Sequence, residues 1–134
     1  MDSLQKVCQT IFQQLGQGHS ECVYQKALVL ELYNIGARSV ESEKQLPVFY
    51  TDTNNVQHTL GSERIDILAR FNSDIILIEL KATITSPNDA NLIQLKKYVK
   101  GLLQIGIIAT DAVIINFSQK KDVSEVDFNK LNIL

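Results

Sequence analysis

The chain has 134 residues, 45% hydrophobic and 21% charged, which predicts one globular domain over residues 1–134 with room for a real core. A net charge of −2 and a pI near 5.6 argue against avid, non-specific adhesion to nucleic acid, which needs a basic footprint. No apolar run approaches the roughly 18–20 residues that span a bilayer, and the N-terminal segment lacks the charged-then-apolar layout of a signal peptide, so no membrane partner is expected.

Leu4, Val7, Cys8, Ile11, Phe12 and Leu15 recur at helical spacing, with Ser3 as a candidate cap. Gly16 and Gly18 end this helix. Ser20 can cap a second helix from Glu21 to about Ile35, closed by Gly36. Glu21 then sits at the positive end of its helix, with Tyr24 three residues on and sharing its face. Val40–Tyr50 reads as a strand around Pro47, Asp52-Thr53-Asn54-Asn55 as a turn, and Val56–Leu60 as the returning strand. Arg64–Arg70 and Ile75–Ala82 read as a second hairpin joined at Asn72-Ser73-Asp74. Pro87 and Asn88 open a third helix to about Gln104, with Gln94, Tyr98 and Gly101 along one side. The stretch Gly101–Asp111 reads either as more helix or as a short extra strand. Ala112–Ser118 is a buried strand and Val123–Phe128 a last edge strand. Helices beside a run of strands predict an α/β sandwich with a mixed sheet.

Cys8 and Cys22 fit no metal spacing and are too few for a disulfide scaffold. They read as small buried thiols in an intracellular, reducing compartment, cytoplasm or nucleus. His19 and His58 are isolated and read as non-ligands. Between Lys96 and Lys121 there are five lysines and one acid, Asp111, which is either a positive patch or, more commonly, a solvated helix face.

The chemistry concentrates at Glu79-Leu80-Lys81, thirteen residues after Asp66. In the strand ending there, Leu77, Glu79 and Lys81 share one face and Ile76, Ile78 and Leu80 the other. Charges beside a core cost several kcal/mol unless paired or bound to an ion. Carboxylates gathered at a strand end are what a hard divalent cation such as Mg²⁺ requires.

Asp66…Glu79-x-Lys81 has the form of the PD-(D/E)xK motif, with Arg64-Ile65 in place of the literal proline, and Gly18-x-x-Glu21-x-x-Tyr24 precedes it. With Leu46-Pro47-Val48, Gln94…Tyr98 and Asn116-Phe117, this order resembles the GxxExxY family of the PD-(D/E)xK nucleases over roughly residues 4–118. The resemblance implies a restriction-endonuclease-like αβββαβ core, a mixed sheet flanked by helices. It also implies metal-dependent hydrolysis of nucleic acid, DNA ahead of RNA. Asp66 and Glu79 would hold Mg²⁺ or Mn²⁺ with the Leu80 carbonyl, and Glu21 would reach in directly or through water. Lys81 would orient the attacking water or steady the transition state, and Gln94 would position the metal–water network or the nucleic-acid backbone. Arg64, Lys97, Tyr98 and Tyr24 are candidate substrate contacts. Each has a plainer reading: Asp66 as an ion-pair partner of Arg64 or Arg70, Glu79 and Lys81 as a surface pair worth about 0–1 kcal/mol, Glu21 as a helix-end charge, Gln94 as a solvated residue and Tyr24 as core.

Two hypotheses follow besides a merely structural α/β domain. One is a metal-dependent nuclease, expected as a homodimer because so small a core offers little surface to grip a duplex. The other is a catalytically silent nuclease-fold module that binds nucleic acid or a protein partner.

Overall fold

The computed structural model describes residues 1–133. Its elements run α1 (Asp2–Leu15), α2 (Glu21–Asn34), β1 (Ser39–Thr51), β2 (Gln57–Arg70), β3 (Ile75–Lys81), α3 (Asp89–Gln104), β4 (Asp111–Asn116) and β5 (Asp127–Leu131). The sheet order is β1-β2-β3-β4-β5. Only β3 and β4 are parallel; α3 makes the crossover between them, and the other neighbours are antiparallel. The fold is thus the expected α/β class, a mixed sheet flanked by helices and consistent with a restriction-endonuclease-like core.

Each sheet face buries a separate core. On one side α1 and α2 lay Leu4, Cys8, Phe12, Tyr24, Leu28 and Leu32 against Ile67, Ile78, Leu80, Ile115 and Phe117. On the other, α3 lays Leu95, Tyr98 and Leu102 against Leu46, Ile65, Leu68, Leu77 and Ile114. Each large side chain wholly removed from water contributes about 1.5–3 kcal/mol. The alternation expected in β3 holds, since Ile76, Ile78 and Leu80 enter the first core and Leu77 the second.

Several boundaries differ from expectation. Val56–Leu60 and Arg64–Arg70 are not separate strands: one strand, β2, starts at Gln57 and continues to Arg70, with Val48 paired to Gly61 and Pro47 to Ser62, and a bulge where Val48 gives way to Phe49. Between those two expected strands, pairing with β1 satisfies the backbone of Gly61 and Ser62 and carries the ladder through. Pro47 is tolerated because β1 is an edge strand. The last strand lies at Asp127–Leu131, not Val123–Phe128, because pairing with β4 selects it. After α3 the chain turns at Gly106, at φ 83°, and the stretch up to Asp111 forms no strand. Helix α1 begins at Asp2 with Met1 as N-cap, so Ser3 is not the cap, and Ser20 occupies the N-cap of α2 without a side-chain hydrogen bond. Asn88 and Asn91 form a reciprocal cap on α3. Cys8 is buried, but Cys22 is exposed on the first turn of α2, so the expected pair of buried thiols is half right.

At Gly101, α3 comes close to the β1–β2 arm: a Cβ there would lie 2.8 Å from the Leu46 Cδ2 methyl. That contact sets how closely α3 covers the arm.

Candidate active site

The site forms where the sheet splits. β2 and β3 pair from Arg70↔Ile75 to Ile67↔Ile78, and there the ladder stops. The backbone donors left over must be satisfied by other groups. The Asp66 N–H donates to Glu79 Oε1 at 3.0 Å, and the Leu80 N–H donates to Asp66 Oδ2 at 2.7 Å. Each carboxylate thus replaces a ladder bond with the other's strand, which holds both side chains at one point, 9% and 7% exposed. No buried side-chain polar atom among the described residues lacks a partner.

Burial raises the Glu79 carboxyl to about 8, with the neighbouring Asp66 charge adding to the effect. Burial also raises Asp66, against the opposing hydrogen bond from Leu80 and with help from the Glu43 charge. Two carboxyls this close and this buried disfavour a second negative charge, so the pair favours holding a proton, and the rise to about 8 puts that tendency on Glu79.

Glu21, exposed on the first turn of α2, is raised by partial burial and then by the Asp66 charge. Half-buried Lys81 opposes the rise of all three carboxyls through its charge, and among the described residues no salt bridge includes it. From α3, the buried Tyr98 hydroxyl is pushed up to about 12 by burial and by the charges of Glu79, Glu63 and Asp66. Gln94 lies half-buried one turn before Tyr98 on the same side of α3, with no hydrogen bond to the carboxylates. The structure therefore gathers Asp66, Glu79, Lys81, Glu21 and Tyr98, with Gln94 alongside.

Arg64 and Lys97 lie at the rim, each already ion-paired: Arg64 Nε with Glu43 Oε2 at 2.8 Å, and Lys97 Nζ with Glu63 Oε1 at 2.7 Å. The plainer reading of Asp66, an ion pair with Arg64 or Arg70, is not what forms, since Arg70 meets Glu41 at 3.4 Å.

Tyr24 is not brought to this groove. Its ring is 0% exposed, stacks on Phe117 with centroids 4.5 Å apart, and its hydroxyl donates to the Gly16 carbonyl at 2.6 Å. Tyr24 ties the α1–α2 turn to the core. Tyr24→Phe is expected to cost about 1 kcal/mol of stability, measured by denaturant melts, and to leave any cleavage rate within about twofold. A large loss of rate at unchanged stability would return Tyr24 to the site.

Glu43, Glu63 and Gln25 were not singled out by sequence. Nothing in the motif spacing points to them, because Glu43 and Gln25 reach Asp66 through strand register and the packing of α2, and Glu63 meets Lys97 and Tyr98 only once α3 is packed.

The donor set suits a hard divalent cation. It comprises two adjacent carboxyls that burial keeps from both being charged without a counter-ion, and the Leu80 carbonyl at the same strand end. Among the described residues no three His, Cys, Asp or Glu side chains form a metal-holding group.

A mixed sheet that splits around two adjacent buried carboxyls, with a lysine two residues on, defines a restriction-endonuclease-like protein. The chain belongs to the PD-(D/E)XK nuclease superfamily, whose family model matches residues 1–127. A crystal structure of SSO0001 is similar at 17% identity and a TM-score of 0.52, covering 98% of this chain. This chain spans 65% of that one's length, and at such identity the likeness concerns the fold. No curated protein matches the chain.

Proposed function

We propose that this chain is a metal-dependent nuclease that hydrolyses phosphodiester bonds, in DNA ahead of RNA, and that it stands in the GxxExxY branch of its superfamily. The observation that carries this reading is the reciprocal bonding of Asp66 and Glu79 at the split of the sheet. It leaves two buried carboxyls side by side, both raised by burial, with the Lys81 charge beside them. The branch assignment rests on Gly18-x-x-Glu21-x-x-Tyr24, which opens α2 and brings Glu21 to the same groove.

Asp66, Glu79 and the Leu80 carbonyl would hold Mg²⁺ or Mn²⁺, which supplies an acidified water and neutralises charge on the phosphate. Lys81 orients that water and stabilises the charge that grows on the phosphoryl oxygens. Glu21 accepts a hydrogen bond from a water facing Asp66. Gln94 and Tyr98 line the α3 side, and Arg64 and Lys97 exchange their glutamates for backbone phosphates as the strand arrives.

Linear, circular, single-stranded and branched DNA, and RNA, offered with Mg²⁺ or Mn²⁺, test this reading. Metal-dependent products are expected, with cleavage slowed about a hundredfold in Lys81→Ala. No product from any substrate with folded protein would sink the reading. The reading as a silent module that binds nucleic acid or a protein partner would then gain. A reducing intracellular location and a homodimer belong to the same proposal; a sedimentation mass equal to one chain would remove the dimer. Among the described residues no helix is long and apolar enough to cross a membrane.

A further inference from the structure

Glu43 lies in β1 between the regular pairs Ser42↔Ile67 and Lys44↔Ile65, which sets it across from Asp66. Its φ of 56° falls in the left-handed region that glycine favours. The same level is where the arm turns over. Ile67 and Ala69 face the core under α1 and α2, whereas Ile65 and Leu46 face the core under α3. A strand that needed only to turn could carry glycine here, yet this position holds a glutamate with both oxygens engaged. Oε1 accepts from Gln25 Nε2 at 3.3 Å, and Oε2 meets Arg64 Nε at 2.8 Å. Gln25, 7% exposed, also donates to the Asp66 carbonyl at 3.5 Å. Gln25 follows Glu21 by one helical turn.

These contacts form a chain from the α2 turn that carries Glu21, through Gln25 and Glu43, to Asp66 and Arg64. We propose that Glu43 is a positioning residue of this site: its carboxylate ties the first turn of α2 to β2 at Asp66 and holds Arg64 at the rim of the groove. This inference rests on the nuclease reading above. Glu43 also adds negative charge beside Asp66 and Glu21, which strengthens the pull of the site on a divalent cation.

Glu43→Gly separates this role from a merely structural one, because glycine suits the backbone but removes the carboxylate. The expected result is a melting temperature at or above that of the wild type. With it should come Mn²⁺ affinity weakened about tenfold by calorimetry and kcat lowered about tenfold or more. Glu43→Gln keeps an acceptor for Gln25 without the charge and should fall between. Wild-type Mn²⁺ affinity and kcat in Glu43→Gly would overturn the inference, and the same values in Glu43→Gln would do so if the glycine variant does not fold. A wild type that binds Mn²⁺ but cuts nothing defeats the nuclease reading alone, and the affinity comparison still decides Glu43. A wild type that neither binds nor cuts overturns both.

Discussion

Asp66→Asn is expected to lower metal-dependent cleavage by about a thousandfold, roughly 4 kcal/mol of transition-state stabilisation, while the protein stays folded. The reason is the double duty of Asp66. Its Oδ2 accepts the Leu80 N–H where the β2–β3 ladder has ended, and an amide oxygen can keep that bond. What the amide cannot keep is the negative charge, and half the carboxylate pair is then lost to a cation. Folding should not suffer, because the carboxylate is buried and raised by desolvation, so its charge is a cost to the metal-free protein. Initial rates at saturating metal and a circular-dichroism melt check both halves. Cleavage within about tenfold of the wild type, in a variant of unchanged melt, would remove Asp66 from the chemistry.

The second large effect is on stability against pH. Folded Glu79 holds its proton up to about pH 8, against an ordinary value of 4.5. Between those values the unfolded chain binds fewer protons than the folded one, so stability falls as pH rises. The contribution is fully present below about 4.5 and is lost as pH passes through about 8. Asp66 and Glu21, also raised, act with the same sign. Glu41 and Asp52, held low by Lys44 and by His58, act oppositely, but in a more acidic window. Each tenfold gain in proton affinity on folding is worth about 1.4 kcal/mol, and coupling to Asp66 lowers the yield, so a loss of about 2 kcal/mol is expected across the window. For a chain of this size that is on the order of 5–10 °C in melting temperature. Glu79→Gln should flatten the slope, because its amide oxygen still accepts the Asp66 N–H and carries no charge. Mn²⁺ should restore the wild type near pH 8 by binding only the folded state. Metal-free melts from about pH 5 to about pH 8 decide it. A wild-type slope no steeper than that of Glu79→Gln would show that the pair is not held as described.

Much of the site was legible because the signals are local. Asp66, Glu79 and Lys81 declare themselves as charges in apolar strands, and Glu21 as a carboxylate at a helix start. Tyr24 was harder: three residues from Glu21 on one helix, it turns into the core against Phe117 because the pitch of α2 points it there. The continuous β2 was missed because Val56–Leu60 and Arg64–Arg70 read as separate strands until the pairing with β1 is known.

By itself the sequence determined the elements that short-range periodicity specifies: three helices, the buried strands β3 and β4, and the faces of β3. It also determined which residues have the oxygen chemistry for a divalent cation. The tertiary structure alone decided that β2 leaves β3 at Asp66, so that two carboxyls replace ladder bonds and are buried side by side. It also brought Glu43 across from Asp66 and Gln25 down from α2. The reason is physical: periodicity is written in neighbouring residues, whereas register, splitting of a sheet and the meeting of layers depend on contacts between residues tens of positions apart, which only the packed chain brings together.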